Sequence, residues 1–191
     1  MKRSILFAIL SVLLVSMSFS SCESKSKQKE LSVSGSAEVR KGFDLLIDIE
    51  AFNAGAGREE SLAGRAERIL HESVLPIKLQ EFVDESGLSS SAVSQFLIKD
   101  KVMIKNKVAG SFDLSIFEGV KLYAGSDYKL IATITSLSSD ELSLKIEMNN
   151  LLPLLQSTGL PIRLTTTTDK NIEGVNMLAV VLHFTFFIEV E

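Results

Sequence analysis

Through most of the second half of the chain, apolar and polar residues alternate with a period of two, the signature of half-buried strands. The clearest run is Met177 to Glu191, where every even position from Leu178 to Val190 is apolar. Its other face, with Ala179, Val181, His183, Thr185 and Phe187, is mixed. At about 3.3 Å per residue this run spans about 45 Å. A strand apolar on both sides belongs in the middle of a sheet, with cover on each face. Upstream, Val102, Ile104 and Val108 oppose Lys99, Lys101, Lys105 and Lys107. Phe112 to Ile116, Val120 to Ala124, Tyr128 to Leu137, Glu141 to Met148 and Ile162 to Thr168 continue the alternation. Turns such as Gly125-Ser126-Asp127 and Ser138-Ser139-Asp140 separate several of these runs and predict an antiparallel meander.

The first half reads differently. Leu31 to Val39 and Phe43 to Phe52 both alternate, and Arg40-Lys41-Gly42 between them predicts the turn of a hairpin. The period then becomes helical. Residues 58–73 place Leu62, Ala66, Ile69 and Leu70 on one helical face, with Arg68 and Glu72 as an i,i+4 pair. Pro76 suits the first turn of a second helix through Ser86, burying Leu79, Phe82 and Val83 and stopped by Gly87. Ser89, Ser90 and Ser91 can cap a third helix carrying Ala92, Val93, Phe96 and Leu97. Near the end, Asn149 or Asn150 caps a short apolar helix, Leu151 to Leu155. The predicted fold class is α+β: an antiparallel sheet with a small helical cluster inserted after an N-terminal hairpin.

Residues before Leu31 stand apart from this pattern. Lys2 and Arg3 precede an apolar core, Ile5 to Val15, and small residues from Ser16 to Ser21 lead to Cys22, the single cysteine. A positive end, a short apolar core and a small-residue cleavage region make an export signal. The core is short for a permanent span, which needs about 20 residues. Phe19-Ser20-Ser21-Cys22 resembles the lipobox of bacterial lipoproteins, with Phe19 where Leu is usual. The resemblance implies cleavage before Cys22, a diacylglycerol on its thiol and a fatty acyl group such as palmitate on the new amino terminus. The competing reading is an ordinary secretory signal cut after Ser20, which leaves Cys22 as a free thiol in an oxidising compartment. The expected organisation is a lipoprotein signal peptide at 1–21, a polar tether at 22–30 beginning with the acylated cysteine, and a single domain at 31–191. Such a protein is exported and lipid-anchored to a bacterial cell membrane, its partner through Cys22.

Charge and chemistry narrow the function classes. The chain holds 20 Lys plus Arg and 24 Asp plus Glu, a net charge of -4. Removing Lys2 and Arg3 with the signal leaves 18 against 24, or -6. A net acidic chain lacks the basic surface that nucleic acid requires. His71 and His183 are the two histidines, and neither has the spacing of a metal ligand. Asn53 to Arg58 carries two glycines but not the third of a dinucleotide fingerprint, and Glu59 and Glu60 repel an anion, so it reads as a plain loop. Asp44, Asp48 and Glu50 share a strand face that is too flat for calcium. That row can pair with the lysine row if the strands are neighbours; otherwise the lysines are free to meet anionic headgroups. Gly-x-Ser-x-Gly and phosphate-loop patterns are absent. The sequence predicts no catalytic residue, cofactor or metal. The expectation is a non-catalytic, membrane-anchored envelope lipoprotein that binds a partner or supports envelope assembly. The alternative is a carrier of a lipid or other apolar ligand, for which the two-sided apolar strand at the C terminus is suited. A membrane barrel is disfavoured, since it needs at least about eight long strands around a polar interior.

Overall fold

Alternation runs without a break from Gly35 to Asp48, and these residues form one strand, β1, in the computed structural model, which describes residues 35–55, 58–59, 67–88 and 92–191. Then follow α1 (Ile49–Asn53), β2 (Arg58–Glu59), β3 (Glu67–Leu75), α2 (Leu79–Ser86), β4 (Val93–Asn106), β5 (Lys121–Ala124), β6 (Lys129–Leu137), β7 (Glu141–Ile146), β8 (Leu160–Thr166) and β9 (Met177–Val190). All belong to one unit, Ser32–Glu191.

Strand accounts for 56% and helix for 13%, so the fold is mainly β, and the α+β expectation with its hairpin and helical cluster is corrected. No turn occurs at Arg40-Lys41-Gly42. β1 pairs along its whole length with β9, from Gly35 opposite Val190 to Asp48 opposite Met177. Gly42 marks a close approach instead: a Cβ there would lie 3.0 Å from Val181 Cγ1 and 3.2 Å from His183 Nδ1. The helix expected at 58–73 is replaced by β2 and β3 over the described residues. A bulge between Ile69 and His71 shifts the pairing of β3 with β8. Leu70 and His71 both turn inward as a result, and on paper that break in alternation imitates helical spacing. The third helix is the start of β4, whose pairing with β9 overrides local propensity. Phe112 to Ile116 is not a strand either. Asp113 accepts a hydrogen bond from the Ser115 N–H at 3.0 Å, and the chain turns through a 3₁₀ segment, Leu114–Ile116.

Other expectations match more closely. Helix α2 buries Phe82 and Val83 and ends at Gly87, which takes the left-handed conformation at φ 71°; it starts only at Leu79, so Pro76 lies before it rather than in its first turn, and Leu79 is half-buried. The short apolar helix is a 3₁₀ turn, Leu152–Leu154, where Asn150 Oδ1 accepts from the Leu152 N–H at 3.1 Å. β5, β6 and β7 form the meander.

Strand order is β1-β9-β4-β7-β6-β5-β8-β3-β2, with each pair antiparallel. The sheet curls into a half-barrel until β1, at one edge, faces β3 near the other. No ladder joins these two, but side chains do. His71 Nδ1 lies 3.0 Å from the Leu46 carbonyl, and Arg68 Nη2 donates to the Phe52 carbonyl at the end of α1. Asn53 exchanges two hydrogen bonds with the Ile172 backbone, at 2.7 and 2.8 Å. Gly159, at φ 130°, lets the entry to β8 pass so close to Leu75 that a Cβ would sit 2.1 Å from its carbonyl oxygen.

The core fills the concave face. Every even residue of β9 from Leu178 to Val190 is buried there. Phe186 is fully buried between the Phe96 ring (4.9 Å) and the Phe184 ring (5.1 Å), both stacked on it. Phe82 of α2 meets it edge-on at 5.3 Å, and Phe43 of β1 at 6.4 Å. Helix α2 thus inserts Phe82 into the concavity, against Phe96 and Phe186. A second aromatic group, Phe52, Phe112 and Phe117, packs elsewhere in the core.

Candidate functional site

Cys22 and its signal lie outside the described residues, as do Gly57, Glu60 and Ser89 to Ser91. Asn53 to Gly55 follows the C-terminal end of α1, which exposes carbonyls rather than the N–H groups that hold phosphate. Among the described residues no three His, Cys, Asp or Glu side chains are grouped to hold a metal ion. No helix among them is long and apolar enough to cross a membrane.

His71 sits in the gap between β1 and β3. A carbonyl can only accept, so Nδ1–H donates to Leu46 and Nε2 accepts from the Ser73 hydroxyl at 2.9 Å. The ring borders a cleft of about 400 Å³ with Leu46, Asp48, Phe52 and Glu72. Burial pushes its pKa below the ordinary 6.5, against an upward pull from the Leu46 carbonyl. The unfolded chain therefore binds a proton here before the native one does as pH falls. Folding stability is expected to fall as pH drops through 6.5, and then to level off below the native value. Chemical denaturation across this range checks it: His71→Gln, which keeps an N–H for Leu46, should flatten this limb. An unchanged slope would contradict the assignment. A separate limb below pH 4.5 belongs to carboxylates held below that value, Glu67, Glu72 and Glu141, and should survive the substitution.

Two of those carboxylates form ties across the convex face of β3, β8 and β5. Glu67 accepts from Lys121, from Tyr123 Oη at 2.9 Å and from Thr165 Oγ at 2.9 Å. Burial raises its pKa, but these donors outweigh that effect. Glu72 accepts from Tyr128 and from Arg163 Nε at 2.9 Å, while the Arg163 guanidinium stacks 3.7 Å from the Tyr128 ring centroid. Carboxylates so fully engaged fasten strands and are poorly placed to exchange protons with a substrate.

The acidic and lysine rows meet at one pair only, Asp44 with Lys107, and not as adjacent strands. β9 lies between β1 and β4, and two lysines, one in β4 and one just past its end, reach over it. Lys99 Nζ bonds Glu38 at 2.8 Å and lies 4.3 Å from the Phe187 ring centroid, and Lys107 Nζ bonds Asp44 at 2.5 Å. Lys101 and Lys105 turn the other way, to Glu141 of β7 at 3.4 and 2.9 Å. Of the supposed acidic row, Asp48 caps α1 and Glu50 lies within it. The row is therefore three separate structural roles.

Between the two reaching lysines the convex face is hollow. A cleft of about 320 Å³ lies over β1, β9 and β4, with Gly42 and His183 beside it. Its far wall is a bulge: Lys99 pairs with Thr185 and Met103 with His183, so three β4 residues stand against one of β9. Asp100, at the tip, has φ 63°, a conformation uncommon for a side-chain-bearing residue. Arg40 and Thr185 line it too, as do Lys41, Lys101 and Phe184. By sequence, His183 has no metal-ligand spacing and Arg40 is not singled out. A glycine inside an alternating run was the available signal for the hollow, since it marks a close approach in a strand.

Compared with protein-family models, with curated proteins and with solved structures, the chain matches none.

Proposed function

We propose that the protein is an exported envelope lipoprotein, anchored through lipid on Cys22, whose domain binds partners at its surface and performs no catalysis. The anchor rests on the lipobox-like Phe19-Ser20-Ser21-Cys22 behind an apolar export core. The observation that carries the rest is the filled concave face: the rings of Phe43, Phe82, Phe96 and Phe184 occupy the space that an apolar cargo would need around Phe186. Partner binding is favoured over carriage for that reason. Ion pairs cover much of the opposite face, whereas a membrane barrel is apolar outside and polar within. Two or three acyl chains, at about 0.8 kcal/mol per buried methylene, suffice for stable attachment. Growth with a labelled fatty acid is expected to mark the wild-type chain and leave Cys22→Ala unmarked. Equal labelling of both would overturn the anchor.

A further inference from the structure

We propose that the convex-face cleft over β1, β9 and β4 binds a carboxylate group, with Arg40 as its principal donor. Charge on this face is almost wholly compensated: Lys99, Lys101, Lys105 and Lys107 each have a carboxylate partner. Arg40 forms no hydrogen bond or ion pair among the described residues; Glu38, two residues away on the same face and already bonded to Lys99, feels its charge only at longer range, so the planar, always-charged fork of Arg40 donors lines the cleft with its hydrogen-bonding capacity unused. Thr185 lies directly opposite Arg40 in the β1–β9 register, and His183 is opposite Gly42, one pair further along the same face. Their side chains also make no hydrogen bond among the described residues, and both are half-buried, which strengthens any polar contact they make.

Gly42 keeps the site open. Nδ1 of His183 lies 3.2 Å from the place a Cβ would take, so any larger residue at 42 would cover that nitrogen. Across the hollow, Asp100 crowns the bulge, held in its left-handed conformation. Its carboxylate disfavours a doubly charged phosphate and accepts a hydrogen bond from any N–H or O–H on the ligand body. Lys41 and Lys101 also line the cleft but are paired with Glu85 and Glu141, so the charges left to meet a ligand are the Arg40 guanidinium and the Asp100 carboxylate; that balance favours a singly charged, planar acid over phosphate, and a bidentate Arg–carboxylate pair fits that geometry. The acid is either a free small molecule or the C-terminus of a peptide.

Met103 lines the cleft and supplies a reporter. The full chain, in detergent and labelled with ¹³C at its methionine methyls, is titrated with acetate, N-acetyl-dialanine and inorganic phosphate at constant ionic strength. Met103 is expected to shift saturably with the carboxylates while Met177 stays still. Arg40→Gln should weaken this at least about tenfold, the scale of one charged hydrogen bond. Thr185→Val should weaken it less. Tighter binding of the dipeptide than of acetate identifies a chain terminus, and equal binding identifies a small acid. Saturation by phosphate alone, a shift that never saturates, or the same titration in Arg40→Gln would each overturn the proposal. Arg40 is exposed, so its substitution should leave the fold intact, with other methyl resonances as the check.

Discussion

Phe186→Ala is expected to cost about 3–5 kcal/mol of folding stability, the range for emptying a buried aromatic site. Phe186 has ring contacts on several sides, from Phe43, Phe82, Phe96 and Phe184, and those rings come from different parts of the chain. β1, α2, β4 and β9 cannot all close on the gap together, so the cavity term persists. Domains have only about 5–15 kcal/mol in total, and a large part of the margin would go. Its neighbour Phe187 provides the contrast. It points to the convex face, half-buried beneath Lys99, and Phe187→Ala should cost less than about 1 kcal/mol. Urea unfolding of both variants checks the pair: equal losses would show that the concave face is not the packed one.

Arg68→Met should cost about 3 kcal/mol, for a different reason. Arg68 is 3% exposed, and its guanidinium lies 3.7 Å from the Phe52 ring centroid. It donates to three carbonyls on two separate segments: Phe52 after β1, and Thr168 and Lys170 after β8. Methionine fills similar volume but leaves those carbonyls without their donor. Arg68→Lys should recover little, because a point charge cannot span the three as a planar fork does. Hydrogen exchange would locate the damage at α1 and β3, with the Phe186 region retained. A loss within about 0.5 kcal/mol, the size of an ordinary surface change, would contradict the role.

These two residues also show how far the sequence could be read. The C-terminal strand was legible in full, because pairing on both sides and burial of one whole face leave a strong period of two. Phe186 could be placed on that face, though its ring partners could not. Arg68 was read as half of a helical i,i+4 pair, and the bulge next to it explains the error: one extra residue breaks alternation just where helical spacing takes over. Gly42 misled in a similar way. In a lone sequence, Arg-Lys-Gly reads as a turn; only the register with β9 reveals that the glycine makes room for His183. The lysine row was legible as a row. Its partners depended on strand order, which places β9 between acid and base. The convex cleft depended on the same order, together with a β4 bulge that no periodicity announces.

The filled half-barrel is what separates surface binding from carriage, and native mass spectrometry of the gently extracted full chain tests it most directly. The expected mass is that of the polypeptide with its covalent acyl groups and nothing else apolar, before and after denaturation. A lipid or other apolar molecule bound in one-to-one ratio, present in the native spectrum and lost on unfolding, would contradict it.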